Sequence, residues 1–340
     1  MNSGFLHPVM LWAGLSIACS SPVRAQLSTS QPASVLPGTT LLDDHGDLAA
    51  EMVAGIDRFL IRELGNVPRR RCVLWPTNPT SIKSYIESVA PHREQLRRII
   101  GAVDSRPAQV DLELLATTTQ PACVAEDDTL AIFAVRWPAL DGIDGEGLLL
   151  KPRGEPGACV IAVPDADWTP EMLAGLVADA PAGATYARQL ARSGCEVLVP
   201  TIISRDDTFS GNPTVRMTNQ PHREYIYRMA YQMGRHVIGY EVQKVLAAVD
   251  HFASRAGSHK PIGVIGYGEG GLIALAAAAV DTRIDVTVVS GYFAPRERLW
   301  AEPIYRNVWS LLCEFGDAEF AWLIAPRTLI VEASKGPIVT

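Results

Sequence analysis

The segment of this sequence with the most distinctive chemistry is a glycine-rich turn. Residues 261–275 read PIGVIGYGEGGLIAL, a pattern that predicts a buried strand, a tight turn and an Ala-rich helix in direct succession. Gly266 and Gly270 have the spacing of the flanking glycines in Gly-x-Ser-x-Gly, a turn that lifts a nucleophilic serine above a sheet. Gly268 occupies the serine position. Since glycine has no side-chain atom that could attack a carbonyl carbon, acyl transfer through this position is excluded.

The neighbouring side chain, Glu269, is the candidate for a displaced nucleophile, because carboxylates also form covalent intermediates. The alternative is that Glu269 hydrogen-bonds the surrounding loops while its backbone N–H serves as an oxyanion donor. We favour this second interpretation.

Further candidates follow the apolar run that ends at Val199. Asp206 and Asp207 come next in the chain, and His222 opens the following helical segment. Open α/β sheets bind ligands at the carboxyl ends of their strands, so these side chains are expected at that edge. The alternatives are a solvated turn for the two aspartates and a structural hydrogen bond for the histidine.

The elements that must position these residues alternate between strands and helices. Short apolar runs predict strands, and helical segments are expected at 223–252 and 270–280. This alternation predicts a doubly wound, mostly parallel sheet. The runs lie at 130–135, 147–150, 159–163, 195–199, 262–265, 284–289 and 328–331.

The order of these elements over about 130–340 resembles that of acetyl xylan esterase and dienelactone hydrolase relatives in the α/β-hydrolase superfamily. The resemblance is carried by the strand ending Val199-Pro200, the long helix containing residues 239–250, the turn around Gly268 and the strand at 284–291. It implies an α/β-hydrolase-like, mainly parallel sheet flanked by helices. It also implies a carboxylic ester hydrolase relative acting on carbohydrate or small esters, without a cofactor.

The sequence departs from that family's catalytic pattern in three places. Gly268 replaces the nucleophile, and no histidine follows His259, so the usual base is missing and the chain is expected to stop before the family's last strand. Glu332 follows the last visible strand and is the candidate acid. Pro164 has no N–H, which leaves the backbone of Asp165 and Ala166 as oxyanion donors. These departures predict a weakly active or inactive hydrolase relative.

Two other classes of protein remain as alternatives. One is a non-catalytic exported binding or scaffold module, because a fold does not by itself imply an activity. The other is a dinucleotide-binding protein, because Gly266, Gly268 and Gly271 satisfy Gly-x-Gly-x-x-Gly after a strand and before a helix. That interpretation also needs an acid at the end of the next strand, whereas Asp285 lies at its beginning.

Composition limits the partners. With 30 basic and 37 acidic residues the formal charge is −7, which disfavours nucleic acid. Residues 1–25 resemble a signal peptide, although their apolar run is far shorter than the ~20 residues that span a bilayer. We therefore expect export to the periplasm or outside the cell, with lipid anchoring as a minor alternative. No CxxC or HxxxH pair suggests a metal,.

The domain organisation follows from these patterns. A signal peptide at 1–25 and a Ser-, Thr- and Pro-rich linker at 26–50 precede a helical segment at 51–111,. Its first helix is expected to stop at Gly65, a residue type common just past helix ends. The α/β-hydrolase-like domain then occupies 112–340.

Overall fold

A computed structural model describes residues 37–40, 46–75, 77–214, 220–255, 260–337 and 339. The predicted signal peptide lies outside these ranges, as do His259 and most of the predicted linker. Internal contacts divide the chain into two units, residues 1–56 and 57–340. The described part of the first unit contains a turn at 37–38 and the beginning of a helix. The second unit contains the sheet, and the predicted domain boundaries stay predictions.

The strands of the second unit form one nine-stranded sheet within the described residues. Their bounds are β1 Glu113–Leu114, β2 Cys123–Glu126, β3 Leu130–Leu140, β4 Ile143–Pro152, β5 Ala158–Val163, β6 Cys195–Pro200, β7 Ile262–Tyr267, β8 Val286–Ser290 and β9 Thr328–Glu332. The order across the sheet is β1-β3-β4-β6-β5-β7-β8-β9, with β2 paired to β3. Strands β5 to β9 run parallel and β1 to β4 pair antiparallel. The predicted mainly parallel α/β-hydrolase-like sheet is therefore confirmed.

Helices flank this sheet on both faces. The α-helices of the described ranges are α1 Leu48–Leu74, α2 Ile82–Ile99, α3 Pro170–Leu173, α4 Tyr186–Arg192, α5 His222–Tyr231, α6 Val237–Ala253, α7 Glu269–Val280, α8 Leu311–Glu314 and α9 Asp317–Ile324. Two separate apolar clusters result: α6, α7 and α9 contribute to one and α3 and α4 to the other. No helix in the described ranges is both long and apolar enough to cross a lipid bilayer.

Two helix bounds differ from the sequence-based expectation. Helix α1 continues through Gly65 to Leu74, because Val67 and Arg71 are buried beyond the glycine and outweigh its modest helix penalty,. The predicted helical segment at 223–252 is two helices, α5 and α6. They are separated by a turn in which Gly234 has a φ of 66°.

Helix α6 approaches the end of α2 at a glycine. The Cα of Gly239 faces the backbone of Ile100 and Gly101, and a Cβ there would overlap their carbonyl groups. Rigid backbone, unlike the end of a long side chain, cannot move aside without shifting a whole helix. This contact fixes how closely α6 packs on the helical N-terminal segment.

We predict that Gly239→Ala lowers the free energy of unfolding by about 1–3 kcal/mol, because it overpacks this contact. The matched control is Gly65→Ala, at a helical glycine with open space around its Cα. That change should be neutral or stabilise by up to about 1 kcal/mol through helix propensity. Urea unfolding of both variants measures the difference, and equal stabilities would contradict the close packing.

Candidate functional site

The glycine-rich turn lies at the carboxyl edge of the sheet, where β7 passes into α7. Gly268 joins the two elements with a φ of 55° and a ψ of −118°, a conformation that favours glycine. Gly266 and Gly270 pack against each other in the turn, where a Cβ on Gly266 would overlap the carbonyl of Gly270. Strand, tight turn and helix thus follow one another as the sequence predicted.

The space above Gly268 is occupied by other parts of the chain. A Cβ at Gly268 would overlap the Oδ1 atom of Asp165 and lie 2.7 Å from Cγ of Pro337. Asp165 belongs to the loop that follows β5, and its residue is 1% exposed. The position above the turn is therefore filled by a carboxylate of the protein itself.

Asp165 also occupies the hydrogen-bond donor at the start of α7. The backbone N–H of Glu269 donates to Oδ1 of Asp165 at 2.9 Å. A helix N-terminus favours an anion through its free N–H groups and its dipole. In a Gly-x-Ser-x-Gly turn, this same N–H stabilises the oxyanion of the reacting ester. Here the donor is already bound to a buried carboxylate.

Arg205, which follows β6, fixes the Asp165 carboxylate in place. Its Nη1 donates to Oδ2 of Asp165 at 2.6 Å, and its Nη2 donates to Oδ1 at 3.1 Å. The same Nη1 reaches Oδ2 of Asp167 at 2.7 Å, while Nε donates to the Tyr305 hydroxyl at 3.0 Å. This bidentate contact between Arg205 and Asp165 holds the carboxylate in one orientation.

The Glu269 carboxylate is bound by arginines and points away from solvent. Its residue is 0% exposed. Arg306 Nε donates to its Oε1 at 2.5 Å, and Arg223 Nη2 donates to its Oε2 at 3.4 Å. Arg205 Nη2 lies 3.6 Å from Oε1. A carboxylate held by three guanidinium groups is charge-neutralised and is poorly placed to attack a substrate.

The ionic cluster continues away from the turn. Arg223, also 0% exposed, lies over the ring of Tyr305 at 5.2 Å and donates to the carbonyl of Ile203 at 2.9 Å. Its Nη1 is 3.6 Å from Oε1 of Glu241. Acidic and basic side chains alternate through the cluster, so each of these buried groups lies beside a partner of opposite charge.

These contacts set the pKa values of the cluster. Burial is the largest single influence on the pKa of the Asp165 carboxyl, and it raises that pKa. The hydrogen bonds from Arg205 and the Glu269 N–H together outweigh burial and hold the pKa below its ordinary value. Burial likewise opposes the charge on Arg205 and Arg306, yet their carboxylate partners raise both pKa values above normal. All three groups are therefore charged near neutral pH.

The structure places Asp206 and Asp207 in the segment between β6 and α5, close to His222, the first residue of α5. The backbone N–H of Phe209 donates to Nε2 of His222 at 3.0 Å, and its Nδ1 lies 2.9 Å from Oγ of Ser204. With Nε2 accepting, Nδ1 carries the proton and donates to the serine. Both ring nitrogens thus have partners in the segment between β6 and α5, and neither is hydrogen-bonded to the turn at Gly268.

Asp206 stabilises the same loop. Its carboxylate accepts hydrogen bonds from the backbone of Asp207 and from both the backbone and hydroxyl of Thr208. Asp207 is exposed and lines an open cleft of about 680 Å³ together with Arg205 and Tyr305. This cleft lies on the side of the turn where the Arg205 cluster reaches the surface.

A second cleft, of about 390 Å³, lies beside the turn and includes Tyr267 of the turn itself. The rings of Tyr267 and Trp168 stack with their centroids 4.7 Å apart. Glu332 also lines this cleft, next to Ser334, whose Oγ is 2.8 Å from Oγ of Ser290. Glu332 thus lies at the carboxyl edge but outside the arginine cluster. Ala166 is buried next to Asp165.

Sequence reasoning named Asp165 for its backbone and missed its side chain. Pro164, where the sequence departs from the family's pattern, was the signal that the loop after β5 differs. The three arginines were also missed, because they come from separate segments and share no spacing.

A further omission is His236, which caps α6: its Nδ1 accepts a hydrogen bond from the backbone N–H of Ile238 at 3.1 Å. Burial lowers the pKa of His236 to about 4.

Metal binding has no support among the residues that the structure describes. No group of three or more His, Cys, Asp or Glu side chains there is arranged to hold a metal ion.

Asp285, the acid considered for a dinucleotide, accepts a hydrogen bond from the backbone N–H of Ile262 at 2.8 Å. Ile262 begins β7, so this carboxylate lies at the edge of the sheet opposite the glycine-rich turn.

Comparison with known proteins supports the fold. Residues 158–304 match the model of the Dienelactone hydrolase family. A putative acetyl xylan esterase from Bacteroides fragilis superimposes with a TM-score of 0.60 at 14% identity, covering 86% of this chain and 77% of that one. A glucuronoyl esterase from Solibacter usitatus gives a TM-score of 0.50 at 16% identity, covering 76% and 78%. Among curated proteins, none matches this chain.

The buried carboxylate of Asp165 is predicted to be essential for stability. Asp165→Asn leaves the largely buried Arg205 without its main partner and should lower the free energy of unfolding by about 3–5 kcal/mol. Asp167→Asn removes an exposed partner of the same Arg205 Nη1 and should cost at most about 1 kcal/mol.

Denaturant unfolding of the two variants at neutral pH measures this contrast. Because the pKa of Asp165 is lowered in the folded protein, its contribution is present above the unfolded value of about 3.9 and is lost as the pH falls through the folded value. The difference between wild type and Asp165→Asn should therefore shrink in acid. Equal costs for the two substitutions would refute the assigned role of Asp165.

Proposed function

This chain has an α/β-hydrolase fold with a Dienelactone hydrolase family domain, and we propose that it binds a carbohydrate or small ester without hydrolysing it. The observation that carries the proposal is the hydrogen bond from the Glu269 N–H to the buried Asp165 carboxylate. Ester hydrolysis needs that donor for the developing oxyanion, and a fixed anion in its place repels the negative transition state.

Two further features support the absence of acyl transfer. Gly268 offers no nucleophile, and the overlap of a Cβ with Asp165 and Pro337 leaves no room for one. Glu269 could replace it only by leaving its contacts with Arg306 and Arg223. Removing those contacts would leave charges buried without partners, which costs several kcal/mol.

The ligand class follows from the smaller cleft. Trp168 and Tyr267 present aromatic surface beside hydroxyl and carboxylate groups of Ser334 and Glu332. An apolar surface with a few polar groups is the usual lining of a small-molecule site, and aromatic rings combined with hydrogen-bonding groups suit a sugar ring. The names of the two similar esterases point to the same ligand class.

The dinucleotide alternative is disfavoured by two observations. The N-terminus of α7, where a pyrophosphate would bind, is already bonded to Asp165. The strand after the turn, β8, ends at Ser290, so no acid follows there for the ribose hydroxyl.

We predict that the purified chain neither hydrolyses activated esters above background nor reacts with fluorophosphonate probes. Serine proteases that lack triad members keep ~10³–10⁴-fold catalysis over water through the oxyanion hole and binding. Even that residual activity should be missing here, because the oxyanion donor is occupied. Gly268→Ser should remain inactive. Efficient turnover by the unmodified protein, lost in Glu269→Gln, would overturn the proposal and identify Glu269 as a nucleophile.

The proposal that the Trp168 cleft binds a carbohydrate ester is tested by calorimetric titration with an acetylated xylo-oligosaccharide. Trp168→Ala should weaken binding by about tenfold, the value of one aromatic contact. The matched control is Trp309→Ala, because Trp309 is 76% exposed and lies outside the cleft. Equal effects of the two substitutions would argue against the cleft as the ligand site.

We also propose that the protein is exported, on the sequence of residues 1–25. Expression of the full chain in a bacterial host should yield a secreted form that begins at Gln26, because small residues precede that position at −3 and −1. Intact-mass measurement of the secreted protein reads the new N-terminus directly. A mature chain that still begins at Met1 would argue against the signal peptide.

A further inference from the structure

The segment that follows β9 crosses the carboxyl edge of the sheet towards the glycine-rich turn. We call residues 333–337 of this segment the strap. The Oγ atom of Ser334 lies 2.8 Å from Oγ of Ser290, the last residue of β8. The carbonyl of Lys335 accepts a hydrogen bond at 3.0 Å from the hydroxyl of Tyr267, the last residue of β7. The strap therefore passes over β8 and reaches β7.

The strap comes very close to the backbone beneath it. A Cβ on Gly336 would lie 2.5 Å from the carbonyl oxygen of Gly291, the residue that follows β8. The ring of Pro337 lies against Gly268, where a Cβ would be 2.8 Å from the proline Cδ atom. Glycine allows such a close approach because it carries no side chain. The strap thus covers the turn itself.

Few bonds hold the strap in this position. Within the described residues, its hydrogen bonds to other segments are the two made by the side chains of Tyr267 and Ser290. Strand β9, by contrast, is paired with β8 along its whole length. Residues 333–336 are also exposed. Segments with few buried contacts and an exposed backbone open at a much lower free-energy cost than the core.

The strap also forms part of the wall of the proposed ligand cleft. Ser334 and Lys335 line this cleft together with Trp168 and Tyr267. Val339, just beyond the strap, lines the larger cleft on the Arg205 side. The chain therefore runs from one cleft to the other across the turn. A ligand in the smaller cleft would lie between the aromatic pair and the strap.

We propose that the strap is a movable wall of the ligand cleft: in the free protein it lifts off the turn and closes again, and a bound ligand holds it closed. A ligand contacts Ser334 and Lys335 in the cleft only while the strap is closed, so it binds the closed form more tightly and shifts the equilibrium towards that form. Lifting the strap removes Pro337 from Gly268 and opens the space between the two clefts. The identity of the ligand rests on the proposed function, whereas the movement of the strap does not depend on it.

The movement is tested on the full chain without ligand, by trypsin cleavage after Lys335. Mass spectrometry follows the release of the peptide that begins at Gly336. Cleavage tracks the population of the lifted form when opening is fast, so release should be slower than from a synthetic peptide of residues 328–340 by about tenfold or more. Tyr267→Phe removes one hydrogen bond from the closed form and should speed release about fivefold.

Tyr240→Phe is the matched control, because Tyr240 is a half-buried tyrosine of α6 outside the cleft, and its release rate should equal that of wild type. Circular dichroism checks that each variant is folded. Release from wild type as fast as from the peptide, or a rate that Tyr267→Phe leaves unchanged, would overturn the proposal.

A reversible crosslink tests the same movement independently. The hydroxyl oxygens of Ser290 and Ser334 are 2.8 Å apart, so the variant with both Ser290→Cys and Ser334→Cys should form a disulfide with oxidised glutathione. The oxidised form should release the peptide more slowly than the same variant reduced with dithiothreitol. Wild type treated in the same way controls for its own cysteines. Failure of the disulfide to form, or equal release from both forms, would contradict the proposal.

The coupling to ligand is tested by adding the acetylated xylo-oligosaccharide. Saturating ligand should slow release from wild type, and Trp168→Ala should remove much of this protection at the same ligand concentration. Binding seen by calorimetry without slower release would overturn the coupling. Absence of binding would instead contradict the proposed function, and the release rates without ligand would still decide whether the strap moves.

Discussion

The salt bridge between Asp165 and Arg205 is the interaction on which the arrangement around the turn depends. It connects the loop after β5 to the loop after β6, and Asp165 extends the connection to the first N–H of α7. Arg205 also donates a hydrogen bond to Tyr305. Glu269 accepts hydrogen bonds from Arg306 and Arg223, so their segments belong to the same cluster. Removing one partner of a buried ion pair is strongly destabilising, so these segments are constrained together.

This constraint is the physical basis for the proposal that the chain keeps a hydrolase fold without hydrolysing esters. The fold provides a helix N-terminus at the carboxyl edge of a parallel sheet, which is a general site for anions. In an ester hydrolase, the anion is the reacting oxygen of the substrate. In this chain, the carboxylate of Asp165 occupies that place, and Gly268 carries no side chain that could act as a nucleophile.

Asp165 occupies the space above the turn, and the two clefts lie on either side of it. The Arg205 side is open, charged and lined by exposed Asp207. The Trp168 side is smaller and more aromatic. Glu269 lines neither cleft, so the ligand proposed for the aromatic cleft would not contact its carboxylate.

The sequence by itself determined the sheet, because nearly continuous apolar runs such as 159–163 and 262–265 have few alternatives to buried strands. It also determined the turn at Gly268, whose glycines follow from local backbone geometry. Local patterns failed at Gly65 and Gly234, where burial of Arg71 extended one helix and a positive φ interrupted another. Only the tertiary structure decided the site. Asp165, Arg205, Glu269 and Arg306 come from four segments, and an ion pair depends on distances across space that no spacing along the chain records.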